Sequence, residues 1–142
     1  MEIDFNIFRW FDSCNTMEDA FVGMTLASMR DSIGQLGDQK VGMQDVASFM
    51  RKIWQGYAEF NPTYHNGIHG ADVCQMTYVM LKTGNIGQLA KLDALDTFSV
   101  LIAAACHDFR HDGFTNNYHA RIESDRFKEF GEAGCQEKFH FA

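Results

Sequence analysis

The sequence predicts an all-α fold. Three observations predict it: apolar residues recur at helical spacing in successive segments, strand-like alternation is absent, and glycines with the single proline, Pro62, mark the breaks. Thr16-Met-Glu-Asp19 resembles a capping box. It opens a helix to about Ile33, with apolar residues at Phe21, Val22, Met24, Leu26, Met29 and Ile33, and Gly34 and Gly37 are expected to end it. Val46, Phe49, Met50, Ile53, Trp54 and Tyr57 share one face of the next helix. Pro62 lacks an N–H and disfavours helical backbone at Asn61, so the chain must break there. Helical spacing resumes from Ala71 to Leu81 through Val73, Thr77 and Met80, and Gly84 and Gly87 punctuate it. Leu95, Phe98, Leu101, Ile102 and Ala105 mark a helix that is apolar nearly all round, which predicts burial. Its carboxyl end delivers His107-Asp108. Beyond Gly113 the pattern weakens, and Ile122, Phe127 and Phe130 predict one more helix, broken near Gly131 and Gly134. Helices of this kind pack face to face.

Residues 1–142 are long enough for one modest core, and no linker, low-complexity run or repeat divides them. Hydrophobic residues make up 46%, which excludes a disordered chain. The eight methionines and thirteen phenylalanines read as core filling. A net charge of -7 argues against a nucleic-acid surface. It also requires that any anionic substrate be attracted locally, most simply by bound cations. Met1 to Trp10 carries Glu2 and Asp4 with no basic region, so it does not read as a signal peptide. The apolar run Phe98 to Cys106 is too short for a bilayer, so no membrane segment is expected. Cys14, Cys74, Cys106 and Cys135 form no CxxC pair and read as reduced thiols, in keeping with a cytoplasmic location.

Four of the six histidines fall in two clusters, His65 with His69 and His107 with His111, and Asp108 adjoins His107. Imidazole and carboxylate hold divalent metals and move protons near neutral pH. On a helix, His65 and His69 would lie one turn apart and could face one metal. Alternatively one is a ligand and the other a proton donor, or both are ordinary core or surface histidines. The zinc-protease motif shares the spacing but needs a glutamate where Asn66 stands, so that chemistry is set aside. His107-Asp108 supplies a nitrogen and an oxygen ligand from one short stretch, and the carboxylate can bridge two metals. Such a pair suits phosphate-ester hydrolysis. A plain helix terminus, where histidine complements the dipole, is the alternative. The presence of both clusters favours the metal.

The run Tyr64-His65-Asn66-Gly67-Ile68-His69-Gly70-Ala71-Asp72-Val73, followed by Gln75, resembles the class I cyclic-nucleotide phosphodiesterases. So does His107-Asp108-Phe109-Arg110-His111-Asp112-Gly113-Phe114-Thr115-Asn116-Asn117. Gly56-Tyr57, Asn61 and Asp4-Phe5-Asn6-Ile7-Phe8 are also similar to that family. The resemblance implies an all-α helical bundle of the HD type, with residues 1–142 as the amino-terminal part of a catalytic domain that is incomplete at the carboxyl end. It implies hydrolysis of the 3′ bond of cyclic AMP or cyclic GMP to the 5′-monophosphate, in signal transduction. His65 is then the proton donor. His69, His107 and Asp108 are ligands of a first metal, usually zinc, and Asp108 bridges to a second, usually magnesium (or manganese). His111, Glu137 and Asp72 support the ligands or their water, and Tyr64, His65, Asp108 and Asn116 contact substrate. Glu137 and His140 take their places from the family segment that carries a glutamate and a histidine pair. Phe139 stands where the first histidine of that pair is expected, and Gly131-Glu132 replaces Asn-Asp.

The resemblance further implies that the last aspartate ligand and the residues gripping the purine lie beyond Ala142. Helical faces that would meet the missing helices are then exposed and open to association. His119 matches no ligand role and is expected to be structural or exposed, and Glu123, Asp125, Glu129 and Glu132 read as a solvated face. Two other readings stand beside the enzyme. One is an inactive fragment or helical interaction module; the other is a general HD-type phosphohydrolase, which explains His107-Asp108 but not the first signature.

Overall fold

A computed structural model describes residues 4–37, 41–131 and 133–142. Among these residues the chain forms nine helices and no strand. They are α1 (Ile7–Ser13), α2 (Met17–Leu36), α3 (Met43–Ala58), α4 (Gly67–Lys82), α5 (Ile86–Leu89), α6 (Ala94–Cys106), α7 (Asn116–Arg121), α8 (Asp125–Phe130) and α9 (Cys135–Phe141). Glu2 and Glu132 lie outside the described residues.

The all-α expectation holds. Thr16 caps α2, its hydroxyl accepting from the Asp19 N–H at 3.0 Å. Gly34 does not end that helix: it sits inside, and the chain leaves at Gly37, whose φ is +80°. The α2 axis is central, packing against α3, α4 and α6. Phe21, Met24, Met29 and Ile33 of α2 meet Val46, Met50, Ile53 and Tyr57 of α3, and Ala71 and Cys74 of α4 with Leu101 and Ala105 of α6 complete the core. Thr25 and Ser28 are buried on α2, and their hydroxyls donate to the Phe21 and Met24 carbonyls at 3.0 Å.

The α4–α6 contact positions the site. Small side chains, Ala71 and Cys74 on α4 and Ala105 on α6, let the two axes approach, and the Cys74 thiol reaches the Leu101 carbonyl at 3.6 Å. The helices run antiparallel, so the start of α4 meets the end of α6. That brings His69 beside His107.

Three expectations need correction. The helix at 94–106 is not buried all round: Leu101 and Ala105 are buried, whereas Leu95 is 56% and Val100 39% exposed. Phenylalanine and methionine do not all fill the core, since Phe8, Phe49, Phe60, Phe114, Phe141, Met17, Met43 and Met80 are exposed. Beyond Gly113 there are three short helices rather than one, each opened by its own cap or turn at Thr115, Ser124 and Gly134. Among the described residues no helix is long and apolar enough to cross a membrane. All four cysteines are free.

Candidate metal centre

Pro62 and Asn66 set the first cluster. Asn61 adopts φ +46°, the left-handed turn that precedes the proline. Asn66 then caps α4: its side-chain oxygen accepts from Ile68 N–H at 3.0 Å and His69 N–H at 3.3 Å, and its amide donates to the Pro62 and Thr63 carbonyls. His65 therefore precedes the helix, and His69 lies in its first turn. The expectation of two imidazoles one helical turn apart fails for this reason. Their rings stand at right angles with centroids 5.9 Å apart.

Tyr57 sets the second cluster. Buried in the core, its hydroxyl donates to the Ala105 carbonyl at 3.1 Å and accepts from the Asp108 N–H at 3.3 Å. It thus holds the turn where α6 ends and Asp108 begins. Gly70 admits this hydroxyl, since a Cβ there would meet Tyr57 Oη at 2.9 Å. Gly56 likewise leaves room for the Phe109 ring. Sequence periodicity placed Tyr57 on an apolar face and did not reveal the work of its oxygen.

His69, His107 and Asp108 each present a ligand atom, all within 4.8 Å of one another. His107 Nε2 lies 3.2 Å from His69 Nε2, and Asp108 Oδ2 lies 3.1 Å from the former and 3.5 Å from the latter. His107 Nδ1 stands 2.9 Å from the Ala104 carbonyl. Donation there, the tautomer this geometry assigns, leaves the Nε2 lone pair facing the group. Metal-ligating histidines are commonly oriented this way. The Asp108 hydrogen bond holds the His107 imidazole above its ordinary range. Burial, then the His107 charge, pushes His69 down. Burial raises the Asp108 carboxyl, but hydrogen bonding and charge from His107, with His65 and His111, outweigh it and hold the group low.

Three more imidazoles stand behind this group. His65 stacks on His111 at 4.0 Å between centroids, and His111 stacks on His140 at 5.4 Å. His111 is buried, and its Nδ1 accepts from the Gly113 N–H at 2.9 Å, which leaves Nε2 as the donor. Burial and then the His65 charge push it down to about 4. His140 donates from Nδ1 to the Phe109 carbonyl at 2.9 Å. Its Nε2 is buried without a hydrogen-bond partner, 3.9 Å from Asp108 Oδ1. The two Asp108 oxygens therefore face different partners.

The remaining candidates divide. Tyr64 is 64% exposed, with its ring 4.7 Å from that of His69. With Asp72, Phe8 and His69 it lines a cleft of about 190 Å³. Asn116 and Glu137 pair with each other at 2.9 Å, and the Asn116 oxygen accepts from the Gln136 N–H, tying α7 to α9. Glu137 is exposed, and the Asn116 hydrogen bond lowers its carboxyl. His119 is buried and structural: its ring nitrogens meet the Ser124 hydroxyl at 2.9 Å and Asp112 Oδ2 at 3.1 Å. Glu123, Asp125 and Glu129 are exposed, as expected.

The sequence did not disclose the polar network around Asp112. Its carboxylate accepts from Gln136 Nε2 at 2.8 Å and the Phe114 N–H at 3.1 Å, beside His119 and Arg126. Burial raises this carboxyl, and those partners outweigh the effect and hold it below its ordinary range. Asp112 lies in the second motif run, but its partners His119, Arg126 and Gln136 lie on α7, α8 and α9, and no periodicity ties them to it.

A family profile described as 3'5'-cyclic nucleotide phosphodiesterase matches residues 64–142. The chain is 29% identical over 139 residues to the dual specificity calcium/calmodulin-dependent 3',5'-cyclic nucleotide phosphodiesterase 1C of Mus musculus, covering 97% of this chain and 19% of that protein. It is 27% identical over 136 residues to the corresponding phosphodiesterase 1 of Drosophila melanogaster, covering 96% of this chain and 16% of that protein. With the phosphodiesterase 1B of Mus musculus it shares 32% identity over 96 residues, 67% of this chain and 17% of the relative. The chain thus spans under a fifth of the length of these relatives. Both clusters fall within the matched stretch, and the chain belongs to the 3'5'-cyclic nucleotide phosphodiesterase family.

Proposed function

We propose that residues 1–142 form the amino-terminal part of the catalytic domain of a metal-dependent phosphodiesterase. It would hydrolyse 3',5'-cyclic nucleotides, cyclic AMP and/or cyclic GMP, to 5'-monophosphates in signal transduction. One observation carries this reading: His69 from α4 and His107-Asp108 from the end of α6 converge within 4.8 Å, with His65 alongside. The relatives' printed names support the substrate class.

The donor set fits a divalent cation. His69, His107 and Asp108 Oδ2 would hold the first ion, and two nitrogens with one oxygen suit zinc. Asp108 Oδ1, turned toward His140, is available to a second ion, for which magnesium or manganese suits a carboxylate with water. The buried, unpartnered His140 Nε2 supports a polar occupant there. Such cations supply Lewis-acid polarisation of the phosphoryl group and of water.

The chain's own residues supply the rest. His65 stands outside the ligand group, its ring held by His111 on one face and Tyr64 at 4.9 Å on another. From there it donates a proton to the ribose 3' oxygen as the P–O bond breaks. His111 is kept neutral by burial, and with Nδ1 accepting from the Gly113 N–H its Nε2 carries the proton it can donate to a water in the site. Asp72 and Glu137 support the ligand side from α4 and α9. Tyr64 walls the substrate, and Asn116 fixes the loop that faces it. The net charge of -7 makes this local attraction necessary for an anionic substrate. A cytoplasmic location accompanies the reading, supported by the four free cysteines.

The test is turnover of cyclic AMP and cyclic GMP by the protein that carries this chain, beside its His65→Ala form. Loss of a positioned general acid is expected to lower kcat by about 10²- to 10⁴-fold. Equal rates would remove His65 from its role. One observation favours the second reading, a helical interaction module. Val46, Phe49, Phe98 and Ile102 line an open apolar groove of about 320 Å³ between α3 and α6. Absence of turnover with either nucleotide would favour that module, and hydrolysis of non-cyclic nucleotides alone would favour a general HD-type phosphohydrolase.

A further inference from the structure

We propose that Arg126 is a positioning residue for His111, acting through the two residues that flank it. The proposal rests on the reading of His111 as a donor beside the cation site.

Arg126 lies on α8 with its side chain only 11% exposed. Its Nη2 donates to the Arg110 carbonyl at 3.3 Å, on the chain segment just before His111. Its Nη1 lies 3.5 Å from Asp112 Oδ2, just after His111, and also donates to Gln136 Oε1. The guanidinium carbon stands 3.8 Å above the Phe139 ring, next to His140. One planar cation therefore touches both neighbours of His111 and two residues of α9. Phe139 departs from the family resemblance at this position, and here it serves as the floor of the guanidinium.

The backbone needs such a clamp. Arg110 adopts φ +60°, a left-handed conformation that is uncommon and strained for a residue with a Cβ. Among the described residues Glu59 also holds Arg110 from outside the turn, its carboxylate accepting from the exposed guanidinium at 2.6 and 2.9 Å. Asp112 is fixed by Gln136 and His119 as well, but neither of these reaches Arg110. Between the clamped residues, the His111 ring is set by its Nδ1 contact to Gly113 N–H. Releasing the turn at 110–112 frees that contact, and the ring loses its single tautomer. A nearly buried charge is retained only where its partners compensate desolvation, and a guanidinium fork meets carboxylate and carbonyl together as an ammonium cannot.

The experiment compares the wild-type protein with Arg126→Leu and Arg126→Lys. Helical content, the ring-nitrogen NMR signature of His111, Co²⁺ affinity, kcat and KM are read for each. The wild type is expected to show one His111 tautomer. In both variants helical content persists, the signature becomes that of exchanging tautomers, and kcat falls about 10- to 100-fold, the usual effect of losing a partner behind a metal site. Co²⁺ affinity and KM stay close to wild type, because the ligand group is not clamped by Arg126. A single His111 tautomer in Arg126→Lys, with wild-type kcat, would overturn the proposal. Loss of helical content in both variants would overturn it too, since Arg126 would then hold the fold and not His111. A wild type that turns over no cyclic nucleotide, with the His111 signature still moving in the variants, would leave the positioning role intact and remove the activity reading instead.

Discussion

Deleting one oxygen, in Tyr57→Phe, tests how the core aims the candidate ligands. The ring stays, packed edge-on against Phe21 at 5.9 Å, so apolar burial changes little. Two hydrogen bonds disappear: donation to the Ala105 carbonyl at 3.1 Å and acceptance from the Asp108 N–H at 3.3 Å. Each lost bond to a buried partner costs about 1 kcal/mol, more where the partner finds no water, so the sum is about 2 kcal/mol. That is roughly a 30-fold fall in the folding equilibrium constant. Because the freed N–H belongs to Asp108, cation affinity should fall as well, by about 10-fold, as for other partners behind a ligand. Urea unfolding with chelator present measures the first quantity, and Co²⁺ titration the second. A stability change below about 0.5 kcal/mol with unaltered Co²⁺ affinity, within the scatter of ordinary surface substitutions, would refute the claim that this hydroxyl fixes the turn.

Gly70→Ala should act on the same hydroxyl from the other side, because the added Cβ meets Tyr57 Oη at 2.9 Å; overpacking of this kind costs about 1–3 kcal/mol, readable by thermal unfolding. Asn66→Ala removes the α4 cap and should cost about 1 kcal/mol, whereas Asn66→Asp keeps the accepting oxygen and should cost less, both by urea unfolding. His111 is pushed down to about 4 in the folded chain, so the unfolded chain binds the extra proton first on acidification. Its contribution is complete above the unfolded value of about 6.5 and is lost as pH falls toward 4, roughly 3 kcal/mol in all. His69 and His140, also lowered, add to that loss, while His107, raised, opposes it. Chelated protein unfolded in urea at pH 7 and pH 4.5 should show the difference, and His111→Gln should shrink it.

The long helices were legible in the sequence because each buries one apolar face: α3 carries Val46, Met50, Ile53 and Tyr57 at helical spacing, and all four are buried. Phe49 fits the same pattern yet is 43% exposed, because spacing marks a face without marking its edge. The helices α7, α8 and α9 were not separable, since six or seven residues hold too few turns for a period to emerge. Their order comes from polar groups instead, Asp112 with Gln136, His119 and Arg126, which only the fold brings together. The grouping of His69, His107 and Asp108 was readable because His107 and Asp108 are adjacent and His69 follows a proline break. That His65 stands off the helix was not, because the cap at Asn66 depends on an exact turn after Pro62. In the sequence His140 is marked only by its match to the second histidine of the family's pair, and its closeness to Asp108 is a property of the α9 docking.

The most direct measurement is Co²⁺ titration of the chain, followed by visible absorption, for wild type and for His69→Ala, His107→Ala and Asp108→Asn. Saturable binding by the wild type with nitrogen-ligand bands is expected, with loss of at least about 10-fold in affinity in each variant. Equal binding by all four proteins, or bands unchanged by removal of either imidazole, would contradict it.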